Sequence, residues 1–156
     1  MKSWSKDIEI NVQIEEVWQL LNGDLEEIQK IMPQVVAQEP IKITSEKVGS
    51  IYLQKYREGS RVQEYEVETL EYIDDENNKK LKVGFTLANM FEITAQYELK
   101  GIDSDRTYFK YTTTNTPLKW FLKPLVKLGS DKVVIQFVER VKKVAEGQKL
   151  QSSGQL

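Results

Sequence analysis

Leu81, Val83, Phe85 and Leu87 are apolar at every second position, and so are Phe91, Ile93, Ala95, Tyr97 and Leu99. Mostly charged or polar residues stand between them. A two-residue period of this kind marks strands with one buried and one hydrated face. The turn signal "LANM" (87–90) joins the two runs. A sheet that is apolar on one side has to be covered, and the rest of the chain must supply the cover. The runs "SIYLQKYR", "RVQEYEVETLEYI" and "RTYFKYTTT" are rich in β-branched and aromatic residues, with "EKVGS", "REGS", "DDENNKK" and "GIDSD" as turns between strands. Residues 35–114 therefore read as an antiparallel meander.

The two ends follow different periods. Residues 4–14 alternate, with Trp4, Ile8, Ile10, Val12 and Ile14 on one side and only Lys6 spoiling it. This predicts a first, edge or near-edge strand. Ile14, Val17, Trp18 and Leu21 then share a helical face, and Asn22-Gly23 stops it. Asp24 caps a second short helix that Pro33 ends. Near the C-terminus Val134, Phe137, Val138, Val141, Val144 and Ala145 form an apolar stripe. Its phase differs from that of Leu118, Phe121, Leu122 and Leu125, so a break or kink is expected between 124 and 130. The expected long helix runs from about 130 to 146, with an irregular tail over 148–156. The fold class is α+β: a curved antiparallel sheet of about seven strands around a long C-terminal helix, with two short helices after strand 1. One domain is expected over residues 1–147. A curved sheet gripping one helix leaves space between them, which predicts an internal cavity.

The chain has no cysteine and no histidine. Disulfides and thiolate metal sites are excluded, as are imidazole bases and imidazole ligands. The first residues form no apolar run like a signal peptide, and no stretch reaches the ~18 apolar residues of a membrane helix. A soluble cytoplasmic protein without cofactor is expected. Eight lysines and arginines against three acids between Pro117 and Lys149 give a local +5, leaving −7 on the remainder of a chain of net charge −2. The preferred reading of that basic segment is a hydrated helix face.

"WSKDIEINVQIEEVWQLLNGDLEEIQKIMP" resembles the opening of the START/SRPBCC helix-grip superfamily, where an alternating strand leads directly into a "VWxLL" helix and a second short one. "TYFKYTTTNTPLKWFLKPLVKLGSDKVVIQFVERVKKVAE" is similar to the ends of its polyketide cyclase/dehydrase and coenzyme-Q-binding branches. The resemblance covers residues 3–147. It implies a hydrophobic-ligand cavity between sheet and helix. It leaves activity open, because such members include lipid carriers, cyclases and chaperone-associated domains.

Residue chemistry favours binding over catalysis. The sequence holds no nucleophile–base set, no metal-ligand spacing and no phosphate loop. Glu64, Glu66 and Glu68 share one strand face, which reads as the hydrated outside of the sheet. Tyr97 and Tyr111 share inward faces with Phe91, Ile93 and Phe109, and Thr113 lies beside Tyr111. A buried phenol needs a partner, which a filled core, a water or a ligand can supply. The expected ligand-binding residues are Phe85, Phe91, Ile93, Tyr97, Phe109, Tyr111, Thr113, Phe121 and Val134. In "NTPLKWFLKPLVKLG" (115–129) the leucines and Phe121 are expected to close one end of the cavity, with Lys119, Lys123 and Lys127 facing water. Docking of Trp120 and these lysines at an anionic membrane is the less favoured alternative, and nucleic-acid binding is not expected. The leading functional reading is binding or transport of a small hydrophobic ligand: lipid, quinone or polyketide-like. The alternatives are a cyclase or dehydratase using a cavity tyrosine or carboxylate, and a protein-interaction domain.

Overall fold

The computed structural model describes residues 1–87, 89–119 and 131–154, with side chains as far as residue 151. Seven strands form one antiparallel sheet in the order β1-β7-β6-β5-β4-β3-β2. They are β1 (Lys2–Ile10), β2 (Val35–Lys42), β3 (Ile51–Glu58), β4 (Arg61–Asp74), β5 (Asn78–Leu87), β6 (Phe91–Asp103) and β7 (Arg106–Pro117). Helices α1 (Ile14–Asn22) and α2 (Leu25–Ile31) follow β1, and α3 (Asp131–Gly154) follows β7. Strands β2 to β7 are the expected meander, and β1 pairs with β7 along its whole length, from Lys2 opposite Asn115 to Ile10 opposite Thr107.

The local signals act as expected at the α1–α2 junction. The Gly23 amide donates to the Gln19 carbonyl at 2.8 Å. A Cβ on Gly23 would stand 2.3 Å from that carbonyl oxygen, so no other residue fits there. The Asp24 carboxylate accepts the Glu27 amide at 3.1 Å and caps α2.

Three boundaries differ from expectation. β1 ends at Ile10, and Val12 turns fully into the core before α1 begins at Ile14. The strand β2, "VVAQEPIK", was not among the predicted runs. It contains Pro40, which lacks a ladder donor, and it lies at the sheet edge where that donor is dispensable. Residues 148–154 continue α3 instead of forming a tail. Lys149 Nζ donates to the Asn11 carbonyl at 3.1 Å and holds the last turns against the β1–α1 junction. Phe121, and the break expected between 124 and 130, lie outside the described residues.

The core is a solid body at one end of the sheet. Ile10, Val12, Val17, Trp18, Leu20, Leu99, Phe109, Val138 and Val141 form its centre, each with 1% exposure or less. α3 lies over β1 and β7, and both short helices touch it. It is also tied at its sides. Lys142 Nζ donates to the Glu9 carbonyl at 2.8 Å. The Glu146 carboxylate accepts the Asn11 amide at 2.8 Å. Arg140 reaches the Ile31 carbonyl at 3.3 Å. α3 lies on the β1–β7 side and reaches β6 through Phe137 against Tyr97; among the described residues, α2 and the end of α1 face the inner sides of β3 to β5. No helix of the described residues is long and apolar enough to cross a membrane.

Candidate ligand cavity

Between the sheet and α2 lies a cavity of about 720 Å³. Leu21 and Asn22 of α1, Leu25 and Ile28 of α2 and Met32 just after it roof the cavity. The opposite wall is built by alternation: Tyr52, Gln54 and Tyr56 from β3, Tyr65, Val67 and Thr69 from β4, and Leu81, Val83, Phe85 and Leu87 from β5. β6 adds Ile93, Ala95 and Tyr97, and β7 adds Tyr111 and Thr113. Adjacent strands pair these residues in register, with Phe85 opposite Ile93 and Tyr97 opposite Tyr111.

On the described wall, charge is confined to the rims. Among the described lining residues only Asp24, Lys47 and Glu58 are charged, and all three are exposed. Lys47 precedes β3 and Glu58 ends it, so they stand at opposite ends of that strand. Lys47 has a positive φ of 73°, in a tight loop where its amide donates to the Thr44 carbonyl.

Six of the seven tyrosines line this space: 52, 56, 65, 72, 97 and 111. Tyr72 is already engaged, since its hydroxyl accepts from Asn22 Nδ2 at 3.1 Å and its ring tilts against Trp18 at 5.9 Å. Tyr65 packs on Phe85 with ring centroids 5.2 Å apart. Tyr97 and Tyr111 are stacked, 5.4 Å apart and only 13° from parallel. Phe137 of α3 backs both, at 6.0 and 4.5 Å. Neither the Tyr97 nor the Tyr111 hydroxyl is hydrogen-bonded to another described residue. Burial pushes the Tyr97 phenol well above its ordinary range, and the neighbouring Tyr111 and Tyr56 add to the effect. Burial, then Tyr56, brings Tyr111 up to about 12. Burial also raises Tyr56, against an opposing pull from Arg140. These phenols keep their protons at neutral pH and present O–H donors.

Five of the nine residues expected at the site lie on the cavity wall: Phe85, Ile93, Tyr97, Tyr111 and Thr113. Three others do not. Phe109 shares the inward face of β7 but sits two residues toward the solid end, where it is fully buried in the core. Phe91 lies at the other extreme, in a small cluster with Leu87 and Ile93. Val134 is buried on α3, which contributes no described residue to the wall. Phe121 lies outside the described residues. The tyrosines at 52, 56, 65 and 72 were missed. For Tyr65 a signal existed, because Glu64, Glu66 and Glu68 mark the outer face of β4 and so turn Tyr65 inward. The three glutamates are indeed exposed on that outer face. Among the described residues no three acidic side chains gather as a metal site would require.

Solved structures with this architecture place it in the helix-grip class. Norcoclaurine synthase from Thalictrum flavum, a point mutant bound to a transition-state analogue, superposes with a TM-score of 0.66 over 95% of this chain and 96% of its own, at 16% identity. The protein Ara h 8.0201 gives 0.65 over 96% and 98%, at 15% identity. The di-domain ARO/CYC protein BexL, from the BE-7585A biosynthetic pathway, gives 0.69 over 94% of this chain and 47% of its own, at 11% identity. At these identities the likeness establishes the fold. No family model matches the sequence, and no curated protein matches it closely enough to count as a relative.

Proposed function

We propose that this protein binds and carries a small, largely apolar organic molecule in the cavity beneath α2. The observation that carries the reading is a cavity of about 720 Å³ whose described wall is uncharged, with Asp24, Lys47 and Glu58 confined to its rims. That volume falls within the range of about 300–1,000 Å³ typical of ligand pockets. Burying ten methylene equivalents at ~0.8 kcal/mol each gives ~8 kcal/mol gross. Ordering costs reduce this toward micromolar affinity. Phe85, Ile93, Tyr97, Tyr111 and Thr113 are the proposed contacts. A structural neighbour, norcoclaurine synthase, has been crystallised with dopamine and hydroxybenzaldehyde, which supports the view that this fold can enclose small organic molecules.

Binding is favoured over acid–base catalysis for a specific reason. The buried phenols are raised in pKa and therefore poor bases near neutrality. The only carboxylates on the described wall are at its rims, and that of Asp24 is engaged in capping α2.

The test is displacement of the uncharged fluorophore N-phenyl-1-naphthylamine, with native mass spectrometry of the purified protein for co-purifying small molecules. Saturable binding of one fluorophore per chain, displaced by apolar competitors, is expected. A protein that neither brightens the fluorophore nor carries any adduct would refute the reading.

A further inference from the structure

We propose that Tyr97 and Tyr111 form a paired hydrogen-bond anchor, and that the ligand is a planar conjugated ring system bearing a ring carbonyl or similar oxygen acceptor, not an acyl chain. This rests on the cavity reading above and narrows it to a ligand class.

The two residues are direct cross-strand partners on β6 and β7, the interior strands nearest the β1 edge. Such partners project in parallel from one face. Their rings are stacked with centroids 5.4 Å apart and planes within 13°, so the two phenols stand side by side on the cavity wall. The Phe137 ring packs against both and fixes their orientation. Neither hydroxyl has a protein partner among the described residues, and neither oxygen is sealed from the cavity that both residues line. Two adjacent O–H donors that open onto one cavity without a protein partner are placed to bind an acceptor on a guest molecule. Tyr72 makes the contrast: in the same cavity its hydroxyl is satisfied by Asn22.

The rest of the wall selects the body of the ligand. Tyr65 and Phe85 present a second aromatic pair at 5.2 Å. Tyr52 and Tyr56 add further rings on β3. Aromatic rings favour offset-stacked and edge-to-face partners, which a flat conjugated molecule provides and a flexible alkyl chain does not. An acyl chain also concentrates its acceptors at one terminus and meets the remaining phenols with methylenes, leaving their donors unpaired.

The experiment compares 9-fluorenone with fluorene, which differ by a carbonyl in place of a methylene at nearly constant shape, and with dodecanoic acid. Each competes with N-phenyl-1-naphthylamine on the wild-type protein and on Tyr97→Phe, Tyr111→Phe and the double variant. Fluorenone is expected to bind about tenfold more tightly than fluorene and more tightly than dodecanoate. Each single variant should weaken fluorenone by about three- to tenfold and leave fluorene unchanged. Unchanged fluorene binding also shows that the variants are folded. The infrared carbonyl band of bound fluorenone should shift back toward its apolar-solvent position in the double variant. Equal affinities for fluorenone and fluorene, insensitivity to the substitutions, or preference for dodecanoate would overturn the anchor while leaving the cavity reading intact. Failure of the fluorophore and all three compounds to bind would remove both.

Discussion

Lys79 lies over the indole of Trp18, its Nζ 5.8 Å from the ring centroid, with 2% of its side chain exposed. Its charge is met by Glu15 at 2.6 Å and by Asp74. The lysine thus bolts α1 to the β4–β5 hairpin. Both carboxylates are partly hydrated, so they lose little when the cation is removed. Lys79→Ala should still cost about 2–3 kcal/mol through lost packing and cation–π contact. Lys79→Met, which keeps the stem, should cost about half as much. Urea unfolding of the three proteins decides this, and equal losses from both substitutions would show that packing is not the source.

The tyrosines give an alkaline signature. In the unfolded chain phenols ionise near pH ~10. In the folded protein Tyr97 lies well above that and Tyr111 at about 12. The native state therefore holds more protons above pH ~10, and its stability falls as pH rises. Lys79 acts in the same sense. Burial lowers its pKa, but Asp74 and Glu15 outweigh that and raise it, so its contribution is present below pH ~10.4 and lost as pH climbs through the raised value. Phenolate absorbance should show a late step that coincides with loss of near-ultraviolet circular dichroism and shrinks in Tyr97→Phe and Tyr111→Phe. Early ionisation of every tyrosine in a still-folded protein would contradict the burial of this pair.

Phe85 and Phe109 should separate binding from stability. Phe109 is fully buried in the solid core, and Phe109→Ala should cost about 3–5 kcal/mol. Phe85 borders the cavity, so its truncation enlarges an existing space and should cost roughly 1 kcal/mol. Fluorophore affinity should change in Phe85→Ala. Thermal denaturation alongside probe titration tests the pair, and reversed effects would misplace the cavity.

Glu146 clamps α3 to the β1–α1 junction. Its carboxylate accepts the Asn11 amide at 2.8 Å and Lys142 Nζ at 2.6 Å. Burial raises its pKa, but these bonds outweigh burial and hold it below the ordinary carboxylate range. Its contribution is present above pH ~4.3 and lost as pH falls through the lowered value. Glu146→Gln should cost about 1–2 kcal/mol at neutral pH and less under acid. A penalty that persists unchanged in acid would show that the charge plays no part.

The sequence revealed faces more readily than depth. Alternation in β5 and β6 placed Leu81, Phe85, Ile93, Tyr97 and Leu99 on one side of the sheet. It held no information on where along the strand the cover stops. Leu99 and Phe109 meet core residues at the solid end, whereas Phe85 and Ile93 line the cavity. That boundary is set by the lateral position of α3, a tertiary property that a two-residue period does not encode. β3 was obscure for another reason: Leu53 lies on the same face as Lys55, whereas Gln54 and the tyrosines at 52 and 56 turn inward, so polarity misleads about direction. Capping chemistry was local and fully legible, as Gly23 and Asp24 show.

The division of β7 between Phe109 in the solid end and Tyr111 with Thr113 in the hollow end has a consequence for engineering. Leu21, Leu81 and Tyr97 serve both ends, but most residues that hold the molecule together and most that line the cavity occupy different stretches, so those can be varied independently. A combinatorial library at Tyr52, Tyr65, Phe85 and Ile93 would alter guest preference on a scaffold whose folding is secured elsewhere. With no cysteine in the natural chain, a single thiol introduced at exposed Lys47 on the rim would carry a dye at one defined position. If the proposed ligand class binds, that dye would turn the protein into an optical reporter for it.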